Sequence, residues 1–179
     1  MISLKMTLVM IILCAVIYPL LISLAGKAVP GGGDGETLKV NGKVVGYANI
    51  GQKFTADNYF WGRPSAVDYN AAGSAGSNKG PTNPGYLKTV QDRIDTFLVH
   101  NPGVVKSQIP VEMITASGSG LDPDISPAAA YIQVARIAKV RVLDGARIKA
   151  LVGRQVEKGI MGPDKINVLK LNIALDAMQ

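Results

Sequence analysis

Met6-Thr-Leu-Val-Met-Ile-Ile-Leu-Cys-Ala-Val-Ile-Tyr-Pro-Leu-Leu-Ile-Ser-Leu24 is the stretch that decides the architecture. It carries no charge, only Thr7 and Ser23 are plainly polar, and Lys5 and Lys27 bound it. At ~1.5 Å per residue, a helix of this length covers most of a ~30 Å hydrocarbon core. A lone segment crosses there only as a helix, because its backbone groups then satisfy one another. The run predicts a membrane anchor over residues 1–27, with the transmembrane helix at about 6–24. A cleaved signal peptide competes, since Ser23-Leu24-Ala25 has the small-x-small form of a cleavage site. An h-region usually runs ~7–15 residues, and the greater length here favours retention. Orientation is not fixed by charge: Lys5 precedes the helix, while Lys27, Lys39 and Lys43 follow it, offset by Asp34 and Glu36.

Working outward, Pro30-Gly-Gly-Gly-Asp-Gly35 sustains neither helix nor strand, so residues 28–37 read as a flexible juncture. Residues 38–179 then form one soluble domain of ordinary size. Leu38-Lys-Val-Asn-Gly-Lys-Val-Val45 places Asn41-Gly42 between β-prone runs, a hairpin signal, with the second strand expected to continue to Ile50. Residues 62–85 are loop-rich, yet Tyr59, Phe60, Trp61 and Tyr69 supply enough burial to order them. Beyond lies a helical half. Leu87, Val90, Ile94, Phe97 and Leu98 share one face up to Asn101-Pro102-Gly103. Ser126-Pro127 caps a helix with Tyr131, Val134, Ala135, Ala138 and Val142 on its apolar stripe and Arg136 and Lys139 outside it. Asp144 caps a further helix that Gly159 ends, and Asn167 caps the closing one. The expected class is α+β: a transmembrane helix, a small β-hairpin, a long ordered loop and a helical C-terminal half.

Composition removes several chemistries. Cys14, the only cysteine, lies inside the apolar run, so the soluble domain has no disulfide and no thiol nucleophile. His100 is the only histidine and reads as a solvated helix end; no metal site is expected. The net charge is +6, and Arg136, Lys139, Arg141, Arg147, Lys149, Arg154 and Lys158 outnumber Asp144 and Glu157 in their segment. That segment reads as the solvated faces of two helices, or as a docking face for an acidic partner, anionic lipid or nucleotide phosphates. Nucleic acid is not expected, because no aromatic residues interleave the cations. Ala116-Ser-Gly-Ser-Gly120 is not a Gly-x-Ser-x-Gly elbow, and no Gly-x-x-x-x-Gly-Lys-Ser/Thr cradle exists. Asp122 and Asp124 flank Pro123 and suit a turn better than a metal. No catalytic residue is assigned. The alternative is a membrane-tethered hydrolase or binding protein using the Ser117/Ser119/Asp122 loop.

Several motifs occur together and in order: Phe60-Trp-Gly-Arg-Pro-Ser65, Tyr69-Asn70, Ser74-Ala-Gly-Ser-Asn78, and Thr115-Ala-Ser-Gly-Ser-Gly-Leu-Asp-Pro-Asp-Ile-Ser-Pro127. Ala128–Arg141 and Ile166–Leu175 continue the pattern. Together they closely resemble the C subunit of the Kdp-type potassium-transporting ATPase of bacteria, over almost the whole chain. The resemblance implies a non-catalytic accessory subunit of a high-affinity potassium uptake complex, needed for assembly and coupling. It implies two partners, a potassium-channel-like subunit and a P-type pump subunit that holds the catalytic residues. It further implies a single-pass protein of the cytoplasmic membrane, in contact with lipid, with its soluble domain outside the cytoplasm. A catalytic-chaperone role that raises the pump's ATP affinity is also implied; ATP would then enter only through the complex, with no cofactor firmly bound here. The docking loop so implied comprises Arg63, Tyr69, Asn70, Ser77, Asn78, Thr115, Ser117, Gly118, Ser119, Gly120, Asp122 and Ser126. Gln133 and Arg136 are the family-like candidates for a nucleotide contact.

Overall fold

Residues Ile2–Gly26 form one helix, α1, longer at both ends than the apolar run alone suggests. Its most apolar window has a mean hydropathy of 2.8, and none of it is buried by the rest of the protein. Over Ile12–Ile17 the winding widens to i→i+5 hydrogen bonds, in the turn just before Pro19. A proline cannot donate to the carbonyl four residues back, so the preceding turn rewires. This computed structural model describes residues 1–178, and the chain divides into two units, Met1–Thr37 and Leu38–Gln179. Gly31, Gly32, Gly33 and Gly35 all adopt positive φ, which accounts for the failure of 30–35 to continue the helix.

The second unit is mixed α and β. Strands β1 (Thr37–Val40) and β2 (Lys43–Tyr47) form the hairpin, with Asn41 and Gly42 at φ 51° and 78° as a type I′ turn requires. The second strand stops at Tyr47 rather than Ile50, because the chain turns there with Ile50 N donating to Tyr47 O. Helix α2 (Pro84–His100) starts at an Asn83 side-chain cap and buries Ile94 and Phe97. Strand β3 (Asp124–Ile125) pairs antiparallel with β4 (Ile166–Asn167), and Val168 N donates to Pro123 O, so residues 123–125 lie beside the start of the last helix.

Helices α3 (Pro127–Tyr131) and α4 (Val134–Arg141) replace the single helix expected after Ser126. The winding tightens at Gln133, whose N–H bonds to Ala130 O. Its side-chain Nε2 takes the Ala129 carbonyl that a regular helix would have used. The expected stripe is also rotated. Tyr131 and Ala135 face outward and Val142 is 90% exposed, whereas Ala129, Ala130, Gln133, Val134, Arg136 and Ile137 are buried. Helix α5 (Gly145–Arg154) is capped by Asp144 and buries Ile148, Leu151 and Val152; it ends at Arg154, five residues before Gly159. Helix α6 (Val168–Asp176) starts at the Asn167 cap and buries Leu171, Asn172 and Leu175. The core gathers Ile94, Phe97, Ile137, Ile148, Val152, Ile166 and Leu171 from these elements, with Phe60 and Met113 from the segments between them.

Candidate functional site

Two irregular segments, 62–78 and 115–126, are bound to each other along their length. Ser117 N donates to Pro64 O at 3.1 Å, Ser65 Oγ to Gly120 O at 2.7 Å, and Ser74 Oγ to Ser119 O at 2.9 Å. Arg63 Nη1 meets Asp122 Oδ2 at 2.9 Å. The Ser65 hydroxyl also accepts from Val67 N and Tyr69 N, and the Tyr69 hydroxyl donates to Arg63 O at 2.5 Å. Gly120 is at φ +70°, and a Cβ there would stand 2.6 Å from Val67 Cγ2. Only a glycine allows this approach, so the pattern of small residues follows from two backbones passing at contact distance.

The hydroxyls of the Ser-Gly-Ser-Gly stretch each accept a backbone N–H within their own turn. Ser117 is buried and its Oγ accepts from Gly120 N at 3.0 Å; Ser119 Oγ accepts from Leu121 N at 3.1 Å. Asp122 Oδ1 accepts from Asp124 N at 3.0 Å, the turn expected of it. Ser126 caps α3 through Ala129 N and donates to Glu112 Oε1. Thr115 bonds back to Val111 O and Asn70 caps a short turn at Ala72 N. Asn78 is exposed at φ +51° beside half-buried Ser77, while Gly118 lies exposed next to Gly76. Burial and the nearby Asp122 carboxylate push the Tyr69 hydroxyl up to about 12, against the opposing pull of Arg63. Among the described residues, no group of three or more His, Cys, Asp or Glu side chains could hold a metal ion.

Gln133 and Arg136 belong to a different place, a buried clamp on residues 56–61. Gln133 has no exposure; its Oε1 accepts from Trp61 N at 2.8 Å and its Nε2 donates to Trp61 O at 3.2 Å. Arg136 donates to Asn101 Oδ1 (3.0 Å), Asp57 O (2.9 Å) and Gln133 Oε1 (2.7 Å), with its guanidinium 4.5 Å from the Trp61 ring centre. Burial pulls this group down to about 10, opposed by the Asp57 carboxylate. Arg136 is therefore not on a solvated outer face. Its charge is balanced by carbonyls and a carboxylate that the chain brings from far away in sequence. Arg141 is likewise covered, over Tyr59 and against Asp176 at 2.6 Å. His100 does end α2 and stays part-exposed, as expected, but its Nδ1 meets Asp57 Oδ1 at 2.8 Å and its ring lies 5.0 Å from Trp61.

Sequence reasoning passed over Ser65, Ser74, Asp57, Asn101 and Asn172. Asn172 holds Phe60 from both sides, accepting from its N–H at 2.9 Å and donating to its carbonyl at 3.0 Å. Ser65, Ser74 and Asn172 stand inside the quoted motifs, but nothing in their local spacing reveals partners more than forty residues away.

An apolar, wholly exposed helix ahead of an α+β unit built on two interlaced loops defines a class, a membrane-associated protein with one candidate span. The family described as KdpC: K+-transporting ATPase, c chain, matches residues 1–177, and the chain belongs to that family. It is 62% identical over 176 residues to the potassium-transporting ATPase KdpC subunit of Flavobacterium johnsoniae, covering 98% of this chain and 96% of that protein. The Bacteroides fragilis protein of the same name is 52% identical over 183 residues (99% and 96%). That of Caldanaerobacter subterraneus is 46% identical over 177 residues (97% and 92%).

Proposed function

We propose that this chain is an accessory subunit of a high-affinity, ATP-driven potassium uptake complex, with the catalytic residues in another chain. One observation carries the reading: a 25-residue apolar helix presented whole, on a chain that matches the family from residue 1 to 177. Such a surface is stable only in lipid or against other membrane helices. The soluble domain lies outside the cytoplasm, and the partners are a potassium-channel-like subunit and a P-type pump subunit. The interlaced loops 62–78 and 115–126 hold the domain in the shape those partners receive. The serines are read as shaping the loop rather than as nucleophiles, since each hydroxyl accepts a backbone N–H of its own turn and the one histidine of the chain, His100, is engaged with Asp57.

A chaperone effect on the pump's ATP affinity would act through assembly. Gln133 and Arg136 are engaged within the domain and fix residues 56–61. No ATP contact is assigned to them.

Purification in mild detergent tests the proposal. The full chain is expected to bring large membrane subunits with potassium-stimulated ATPase activity, and its isolation alone would refute it. Val16→Arg is expected to abolish recovery, because a charge at a helix centre costs ~2.5–3.5 kcal/mol on insertion. Normal assembly of that variant would contradict an inserted anchor. A reporter active only outside the cytoplasm, fused after Gln179, is expected to be active; activity of a cytoplasm-only reporter there would reverse the topology and reopen direct ATP contact.

A further inference from the structure

Ahead of Pro19 the membrane helix α1 leaves a carbonyl that lipid cannot satisfy. Tyr18 N donates to Leu13 O, five residues back, so it does not serve Cys14 O at the usual four. The next nitrogen along the chain belongs to Pro19 and carries no hydrogen. Cys14 O therefore has no N–H of its own helix at i+4 or at i+5. Residue 14 is the midpoint of Ile2–Gly26, so the gap falls at the centre of the candidate span.

The helix offers no substitute of its own. Among the described residues its side-chain hydrogen bonding consists of Thr7 Oγ donating to Ser3 O at 2.9 Å, two turns nearer the start. The bilayer core has neither water nor lipid donors at that depth, and an unpaired backbone carbonyl there is costly. The surface beside the gap is also shaped. Met6, Thr7, Met10, Ile11, Cys14 and Ala15 line one shallow concavity, open where the small side chains of Cys14 and Ala15 stand. Val9, Ile12 and Val16 fall on the opposite side at helical spacing. Acyl chains would cover the apolar side chains of the concave face but would leave the carbonyl unpaired. A second helix with a polar side chain at mid-depth meets both needs.

We propose that the Thr7–Met10–Cys14 face of α1 packs against a membrane helix of a larger subunit of the same complex, and that a hydroxyl or amide side chain of that helix donates to the Cys14 carbonyl at mid-membrane. This rests on the accessory-subunit reading. It makes the anchor a contact of fixed depth and rotation rather than a plain tether.

The test uses Cys14 as the chain's only cysteine. Cysteine labelled with carbon-13 at its carbonyl marks this one carbonyl in the full chain. Infrared spectra are taken of the chain purified alone and of the intact complex, the latter read as wild type minus Cys14→Ala. A shift from the free to the hydrogen-bonded amide frequency on entering the complex is expected; the same frequency in both overturns the donor. A photo-crosslinking amino acid at Met10, irradiated in membranes, should form an adduct with another subunit, and the same group at Val9 an adduct with lipid. Adducts from Met10 only with lipid or with a second copy of this chain, in a complex that still co-purifies, overturn the face and leave the subunit reading standing. Failure of the wild-type chain to bring any partner overturns both. Pro19→Ala returns an N–H and lets the helix close its own gap. The variant should still integrate into the membrane, while the complex dissociates roughly three- to thirtyfold faster, the worth of one interhelical hydrogen bond. Unchanged dissociation contradicts the proposal.

Discussion

The interlaced loops and residues 145–165 invert each other's appearance in sequence. Thr115–Pro127 is crowded with hydroxyls and carboxylates and looks like chemistry, yet Ser117, Ser119 and Asp122 all accept backbone N–H groups of their own segment. Residues 145–165 look like an ordinary amphipathic helix and a turn, yet they hold the outward-facing cations and the bare Ile160-Met161 apex. A polar residue is informative by what its donors and acceptors have left to give. In the first region the side-chain oxygens hold local backbone N–H groups; in the second, apolar area and charge are both unpaired.

The sharpest way to break this contrast is Gly120→Val. A β-branched residue at φ +70° with a Cβ 2.6 Å from Val67 Cγ2 should cost about 2–5 kcal/mol, strain and overpacking together. Denaturant unfolding of the domain checks it, and a change below ~1 kcal/mol would mean that the two loops are not locked together. Arg136→Met is next. It strips hydrogen bonds from Asn101 and Asp57 and should cost about 2–4 kcal/mol, most of it from acceptors left buried and unpaired. If stability held while only ATP-dependent activity fell, the clamp reading would give way to a nucleotide contact.

Alkaline titration sharpens the same comparison. The Tyr69 hydroxyl has its proton affinity raised from 10.0 to about 12 in the fold, so between these values the native state binds more protons than the unfolded chain. Stability from this group therefore falls as pH rises from 10 towards 12. Tyr69→Phe lacks the titration, so its deficit relative to wild type should shrink over that window; a constant deficit would show that Tyr69 is not held between Asp122 and the Arg63 carbonyl. Smallest is Ser119→Ala, at about 0.5–1 kcal/mol for one lost acceptor on a half-exposed turn.

Much of the fold could be read from local signals. The Asn41-Gly42 turn and the caps at Ser126, Asp144 and Asn167 depend on residues within four positions of one another, and all are present. The misreadings have one cause. Arg136 reads as solvent-facing because its partners at residues 56–61 lie more than seventy positions away in sequence. Periodicity sees only one helix at a time, so a buried cation neutralised from another element reads as an exposed one. The break at Gln133 has the same origin, since that side chain serves Trp61 as well as its own helix. Gly159 reads as the stop of the Asp144-capped helix, but that helix ends at Arg154 and the chain continues to the exposed Ile160-Met161 apex.

The most direct test of the central claim, that this chain acts by assembly and not by chemistry in its Ser-Gly loop, is a paired measurement on Ser117→Ala and Ser119→Ala. Complex recovery and ATP-driven potassium uptake should be measured on the same preparations. Uptake is expected to track recovery in both variants, with Ser119→Ala close to wild type. Variants that assemble fully yet transport nothing would contradict the account and promote the hydrolase alternative.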